Sequence, residues 1–148
     1  MVVVVDRSAS WRTKLRNVLR TEDLDNIAKA RLHDAQVLFD AGRYDGAVYL
    51  CGYAVELALK TRICKTLSWA GYPSTKAEFQ NLQSLKTHSL DVLLSLSGVE
   101  AKVKTSCLAE WSAVAAWEPE VRYKPVGSAT PGDAKLMIES AKILLGVL

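Results

Sequence analysis

The chain has 148 residues, 49% of them hydrophobic and 24% charged, which excludes intrinsic disorder as the main state and fits one domain that buries a single core. The formal net charge of +3 is local: residues 1 to 20 hold five Lys/Arg against one acid, and residues 21 to 148 hold fourteen against fifteen. A body evenly coated in positive charge is excluded, so any polyanion contact must be confined to one place.

The chain reads as helices separated by glycines, with no sustained period-two alternation, and is expected to be all-α. Met1 to Val5 runs straight into Asp6 and Arg7, so it lacks the positive start and apolar length of a secretory signal, and the expected compartment is the cytoplasm. Residues 1–20 form a basic amphipathic segment whose helix, roughly Ser10 to Arg20, sets Trp11, Leu15, Val18 and Leu19 on one stripe and Arg12, Arg16 and Arg20 on another. Residues 21–148 form one helical domain. Its first helix is expected from about Glu22 to Ala41, with acids in the first turn, Gly42 as a left-handed cap, and Leu24, Ile27, Ala28, Arg31, Ala35, Leu38 and Phe39 on the apolar side. The next, about Asp45 to Ala70, is the longest and least polar, and its small residues mark it as the central helix of a bundle.

A turn cluster at Gly71 to Thr75 and an irregular segment to Lys86 precede a short helix, Ser89 to Leu96, for which Thr87 is one cap candidate. A long helix from Ala101 to Trp117 would stack Val103, Cys107, Leu108, Trp111, Val114 and Ala115. Glu118 to Asp133 carries three of the four prolines and is the longest loop. The last helix starts near Gly132, with Leu136, Ile143, Leu144 and Val147 facing in. Three cysteines, an odd number within apolar patterns, suit buried free thiols. No Cys or His pair has ligand spacing, and no metal or cofactor is expected.

Short catalytic motifs are absent, which leaves four constellations. Glu56 and Lys60 lie one turn apart in the central helix, either as a structural pair at the bundle edge or as the lining of a polar groove. His88 opens a helix, where it either fixes the loop or exchanges a proton. Arg122 and Tyr123 sit in the long loop, as a phosphate contact with a stacking ring or as a tie to the bundle. The basic stripe of Arg12, Arg16 and Arg20 is a solvated face or a polyanion contact. Small-residue helix faces and exposed tryptophans suggest a self-complementary patch, hence a homodimer.

Three segments in order, Ala30 to Ala35 through Gly42 to Ala47 to Tyr53-Ala54-Val55-Glu56-Leu57-Ala58-Leu59-Lys60, then Thr87-His88-Ser89-Leu90, then Val121-Arg122-Tyr123, resemble the HEPN domain family over about residues 24 to 146. The resemblance implies an up-and-down four-helix bundle with an added C-terminal helix, here with an extra N-terminal one, often dimeric and commonly encoded beside a minimal nucleotidyltransferase in toxin–antitoxin-like pairs. Many members are metal-independent ribonucleases that use an arginine and a histidine separated by four to six residues. The matching arginine is Arg122, and positions 127 to 129 are Gly127, Ser128 and Ala129, so that histidine is missing. The resemblance therefore implies a non-catalytic or divergent member that binds nucleotide or RNA phosphate and a partner protein, with Lys60, His88 and Arg122 lining a groove, Glu56 orienting Lys60 and Tyr123 stacking. The alternatives are a ribonuclease pairing Arg122 with His88, and a structural dimeric adaptor without a groove.

Overall fold

The computed structural model describes residues 19 to 148, so Arg12, Arg16 and most of the expected Ser10 to Arg20 helix lie outside the described residues. Arg20 itself does not end a helix. It forms an isolated antiparallel bridge with Gly71, closed by Thr21 N–H to Ala70 O at 3.0 Å and Tyr72 N–H to Leu19 O at 2.8 Å. Among the described residues everything else is helix, turn or loop.

Helix α1, Thr21–Asp40, opens with Glu22 and Asp23 against its N-terminal dipole and buries Leu24, Ala28 and Ala35. Ile27, expected on the same side, is exposed at the stripe's edge. Gly42, at φ +73°, ends the helix: its N–H reaches Phe39 O and Arg43 N–H reaches Leu38 O, the paired bonds of a Schellman turn. Helix α2, Tyr44–Thr66, follows at once and is buried on most sides, packing against α1 and the three later elements around it, which makes it the central helix. It stops at Thr66 instead of running to Ala70. Ser68 takes a left-handed conformation, φ 55°, and Trp69 N–H closes on Cys64 O at 2.8 Å, so a Schellman turn ends the helix without the glycine that usually signals one.

A turn segment and a 3₁₀ turn, Gln83–Leu85, lead to α3, Leu90–Leu96. Its cap is Ser89, whose hydroxyl accepts from Val92 N–H; Thr87, the expected candidate, accepts from Ser89 N–H one step earlier. The long helix expected from Ala101 to Trp117 is two: α4, Glu100–Ser106, and α5, Leu108–Val114, broken at Cys107 where φ is −136°. Thr105-Ser106-Cys107 is a run of weak helix formers with hydroxyls that compete for backbone groups, and the break lets Val103, Cys107, Trp111 and Val114 all reach the core. Leu108 stands well round the helix from that stripe and is exposed.

A 3₁₀ turn, Pro119–Tyr123, and a loop precede α6, Pro131–Val147, which begins with a capping box between Thr130 and Asp133 and with Pro131 in its first turn. Helix α6 buries Ala134, Met137, Ile138, Ser140, Ala141 and Leu144. Leu136 and Ile143, expected inside, point out at 57% and 47% exposure, because the small Ala134 and Ala141 allow α6 to lie closer to α2 than bulky residues would. Helices α1, α2, α5 and α6 surround one core in which all three cysteines are buried and free. Burial raises the Cys51 thiol to about 12. Trp111 and Trp117 are also buried and Trp69 is half-buried, so none of the tryptophans among the described residues is exposed, contrary to expectation. No described helix is long and apolar enough to cross a membrane.

Candidate functional site

Asp45, Tyr49, Tyr53, Glu56 and Lys60 recur at three- and four-residue intervals on α2, so the helical period aligns them in one stripe about 22 Å long. The stripe has two polar ends with tyrosines between them. Tyr49 and Tyr53 have ring planes within 2° of parallel and centroids 6.5 Å apart, and Tyr49 lies 6.1 Å from Trp117.

At the first end, the Asp45 carboxylate accepts from the backbone N–H groups of Gly127 at 2.7 Å and Ala129 at 2.8 Å. Those two bonds, Ala129's first, hold the Asp45 pKa below its ordinary value. Positions 127 to 129, where no histidine stands, thus supply main-chain donors to a carboxylate on α2. Arg122 lies over the Tyr123 ring, 4.9 Å from its centroid, and the hydroxyls of Tyr49 and then Tyr123 push the guanidinium's pKa further up. Between α2, α5, the 3₁₀ turn and the loop is a cavity of about 480 Å³ lined by Tyr49, Trp117, Val121, Arg122, Lys124 and Met137, among others. Trp117 closes its floor: a Cβ at Gly52 would fall inside the indole ring, so only glycine at that position admits it. The buried Trp117 Nε1 has no acceptor among the described residues.

At the second end, Glu56 is 1% exposed. Its Oε1 accepts from Lys60 Nζ at 2.7 Å and from His88 Nδ1 at 2.8 Å, while its buried Oε2 has no donor among the described residues. A buried carboxylate needs such donors to offset its lost hydration. Lys60 Nζ also sits 5.2 Å from the centroid of the Tyr72 ring. That ring is fixed by its hydroxyl donating to Leu85 O at 2.6 Å, and burial raises its pKa. Burial, then Glu56, raises the Tyr53 phenol's pKa.

Of the residues singled out in sequence, Glu56, Lys60 and His88 converge on one oxygen, and Arg122 and Tyr123 stack together at the other end of the stripe. Their anchors on α2, Tyr49 and Glu56, are seven residues apart, about 10 Å along the axis. Arg20 is exposed and paired with Asp23 at 3.0 Å. His33 is on the exposed side of α1. Trp117, in the same loop-mouth run as Arg122 and Tyr123, packs under the cavity. Asp45, Tyr49, Tyr53 and Tyr72 lie outside the constellations expected from sequence, although the spacing of Asp45, Tyr49 and Tyr53 with Glu56 is a signal that could place three of them. Among the described residues no cluster of His, Cys, Asp and Glu could hold a metal ion.

The model of the HEPN domain family matches residues 21–148 of the chain. No curated protein and no solved structure matches it.

Proposed function

The chain belongs to the HEPN domain family, and from that premise we propose that it binds single-stranded RNA or a nucleotide through phosphate, without cleaving it, along the half-buried α2 stripe. The observation that carries this reading is the order of groups on one helix face: the Arg122 cation at Tyr49, two near-parallel tyrosine rings, then the Lys60 and His88 donors on Glu56. Cations set the backbone of a polyanion and rings accept its bases. Transfer to a 2′-OH needs an acid–base group beside the phosphate-binding cation. Here the loop after Arg122 offers Gly127, Ser128 and Ala129, and His88 is anchored about 10 Å further along α2.

Binding of a fluorescent single-stranded RNA, followed by anisotropy across a salt series, tests the reading. Arg122→Ala and Lys60→Met should each weaken binding about tenfold and lower the salt slope by about one. Unchanged binding in both variants, or Arg122-dependent cleavage of the RNA, would overturn it.

The same proposal extends to partners. The chain works in the cytoplasm as a homodimer and docks a minimal nucleotidyltransferase of a toxin–antitoxin-like pair, with Tyr123 and Val126, 76% and 96% exposed, at hand for contact beside the Arg122 cavity. Residues 1–20 supply a second, separable polyanion contact through Arg12, Arg16 and Arg20. Deleting them should reduce RNA affinity without abolishing the Arg122 dependence, and sedimentation should give twice the monomer mass. A monomer at high micromolar concentration would remove the dimer from this picture.

A further inference from the structure

We propose that His88 is a phosphoryl-accepting nucleophile, oriented by Glu56 and assisted by Lys60. An ionised carboxylate only accepts hydrogen bonds, so the 2.8 Å contact assigns the proton of the neutral ring to Nδ1 and leaves the Nε2 lone pair uncommitted among the described residues. The imidazole is 66% exposed while the carboxylate behind it is 2% exposed. The reactive edge therefore faces solvent and its electrostatic partner is shielded from it, where a charge acts most strongly. Glu56 stands mid-way along a packed 23-residue helix and Tyr72 backs Lys60, so the carboxylate behind the imidazole is held on the bundle's central helix.

The chemical class of co-substrate is a small activated phosphoryl compound, of which phosphoramidate is the simplest. His88 Nε2 attacks phosphorus, a new N–P bond forms, the donor's P–N bond breaks, and ammonia leaves from the zwitterionic donor without needing a further proton. As the bond forms the ring becomes an imidazolium that still carries its Nδ1 proton against Glu56, so positive charge develops beside a carboxylate already in place. Lys60 Nζ, on the same Oε1, holds the carboxylate in place behind the ring, so Lys60 acts as a positioning residue. This inference shares with the proposed function only Lys60, which here positions Glu56. It requires neither RNA nor Arg122.

The chain contains its own control. His33 is exposed on α1 and has no carboxylate at ion-pair distance among the described residues. The full-length protein is incubated with phosphoramidate and followed by intact mass, ³¹P NMR and peptide mapping. One acid-labile phosphoryl group should form on His88 Nε2 roughly tenfold or more faster than any on His33. Glu56→Gln and, separately, Lys60→Met should slow His88 several-fold and leave His33 unchanged. Equal rates at the two histidines, no phosphohistidine at all, or a Glu56→Gln protein that reacts like the parent would overturn the proposal. The comparison within the unaltered chain decides it even where a variant does not fold, and the RNA-binding experiment can fail or succeed independently.

Discussion

The indole of Trp117 occupies the space that a side chain on Gly52 would need. This contact joins the stripe on α2 to the segment that carries Arg122. It is also one turn of α2 from Glu56, so the floor of the cavity and the buried carboxylate rest on the same stretch of helix. Gly52→Ala must move either the indole or the helix. The expected cost is about 1–3 kcal/mol from overpacking, read as a lower urea midpoint, with Trp117 fluorescence shifted to the red. A variant with the parent's midpoint and spectrum would show that Trp117 does not sit on Gly52.

Glu56→Gln should destabilise the fold by about 1–3 kcal/mol. The amide keeps one acceptor but leaves the Lys60 ammonium, 13% exposed, without its counter-charge. A Glu56→Gln, Lys60→Met double variant should recover part of that loss, since the uncompensated cation is then gone. Chemical denaturation of the two variants measures both quantities, and strict additivity would count against a coupled pair.

Asp45 makes the loop at 127 to 129 sensitive to acid. Its folded-state pKa lies below the ordinary 3.8, so its stabilisation is complete above that value and is lost as pH falls through the depressed one. Asp133, lowered chiefly by its bond from Thr130, acts in the same direction at the start of α6. Protection of the Gly127 and Ala129 amides, taken relative to the intrinsic exchange rate at each pH, should fall below the ordinary carboxylate range in the parent. In Asp45→Asn it should already be low at neutral pH. Slow exchange in that variant would mean that the loop is held by something else.

Glu56 Oε2 and Trp117 Nε1 are buried, polar and without a described protein partner. Groups of this kind bind internal water. A high-resolution crystal structure should show an ordered water on each, and Trp117→Phe should release the one on the indole while leaving the ring's packing intact. Empty density beside both atoms would contradict this.

Much of the fold was legible because its long helices carry their own punctuation. Acids stand in the first turn of α1, Gly42 ends it, and α6 begins at Pro131, one residue before the expected Gly132. The end of α2 was not legible because Ser68, and not a glycine, takes the left-handed turn. The break at Cys107 and the outward Leu136 and Ile143 share another cause. Side-chain size suggests what wants burial, but closeness of approach decided it, and the alanines of α6 went inside. For the site, the Glu56–Lys60 spacing could be read along one helix. That His88 would close on the same oxygen from 32 residues away could not, since it depends on how the Tyr72–Leu85 segment folds back.

Asp45 and Ala129 lie 84 residues apart in the chain, whereas α1 and α2 are neighbours joined by one short turn. Local contacts form cheaply and distant ones bear the entropy of closing the intervening loop. During synthesis the α1–α2 hairpin, with Glu56 and Lys60 aboard, is therefore complete long before the segment bearing Arg122 has been made. Until then Tyr49 and Gly52 present an apolar trough to the surrounding solvent. The arrival of Trp117 is what closes this face.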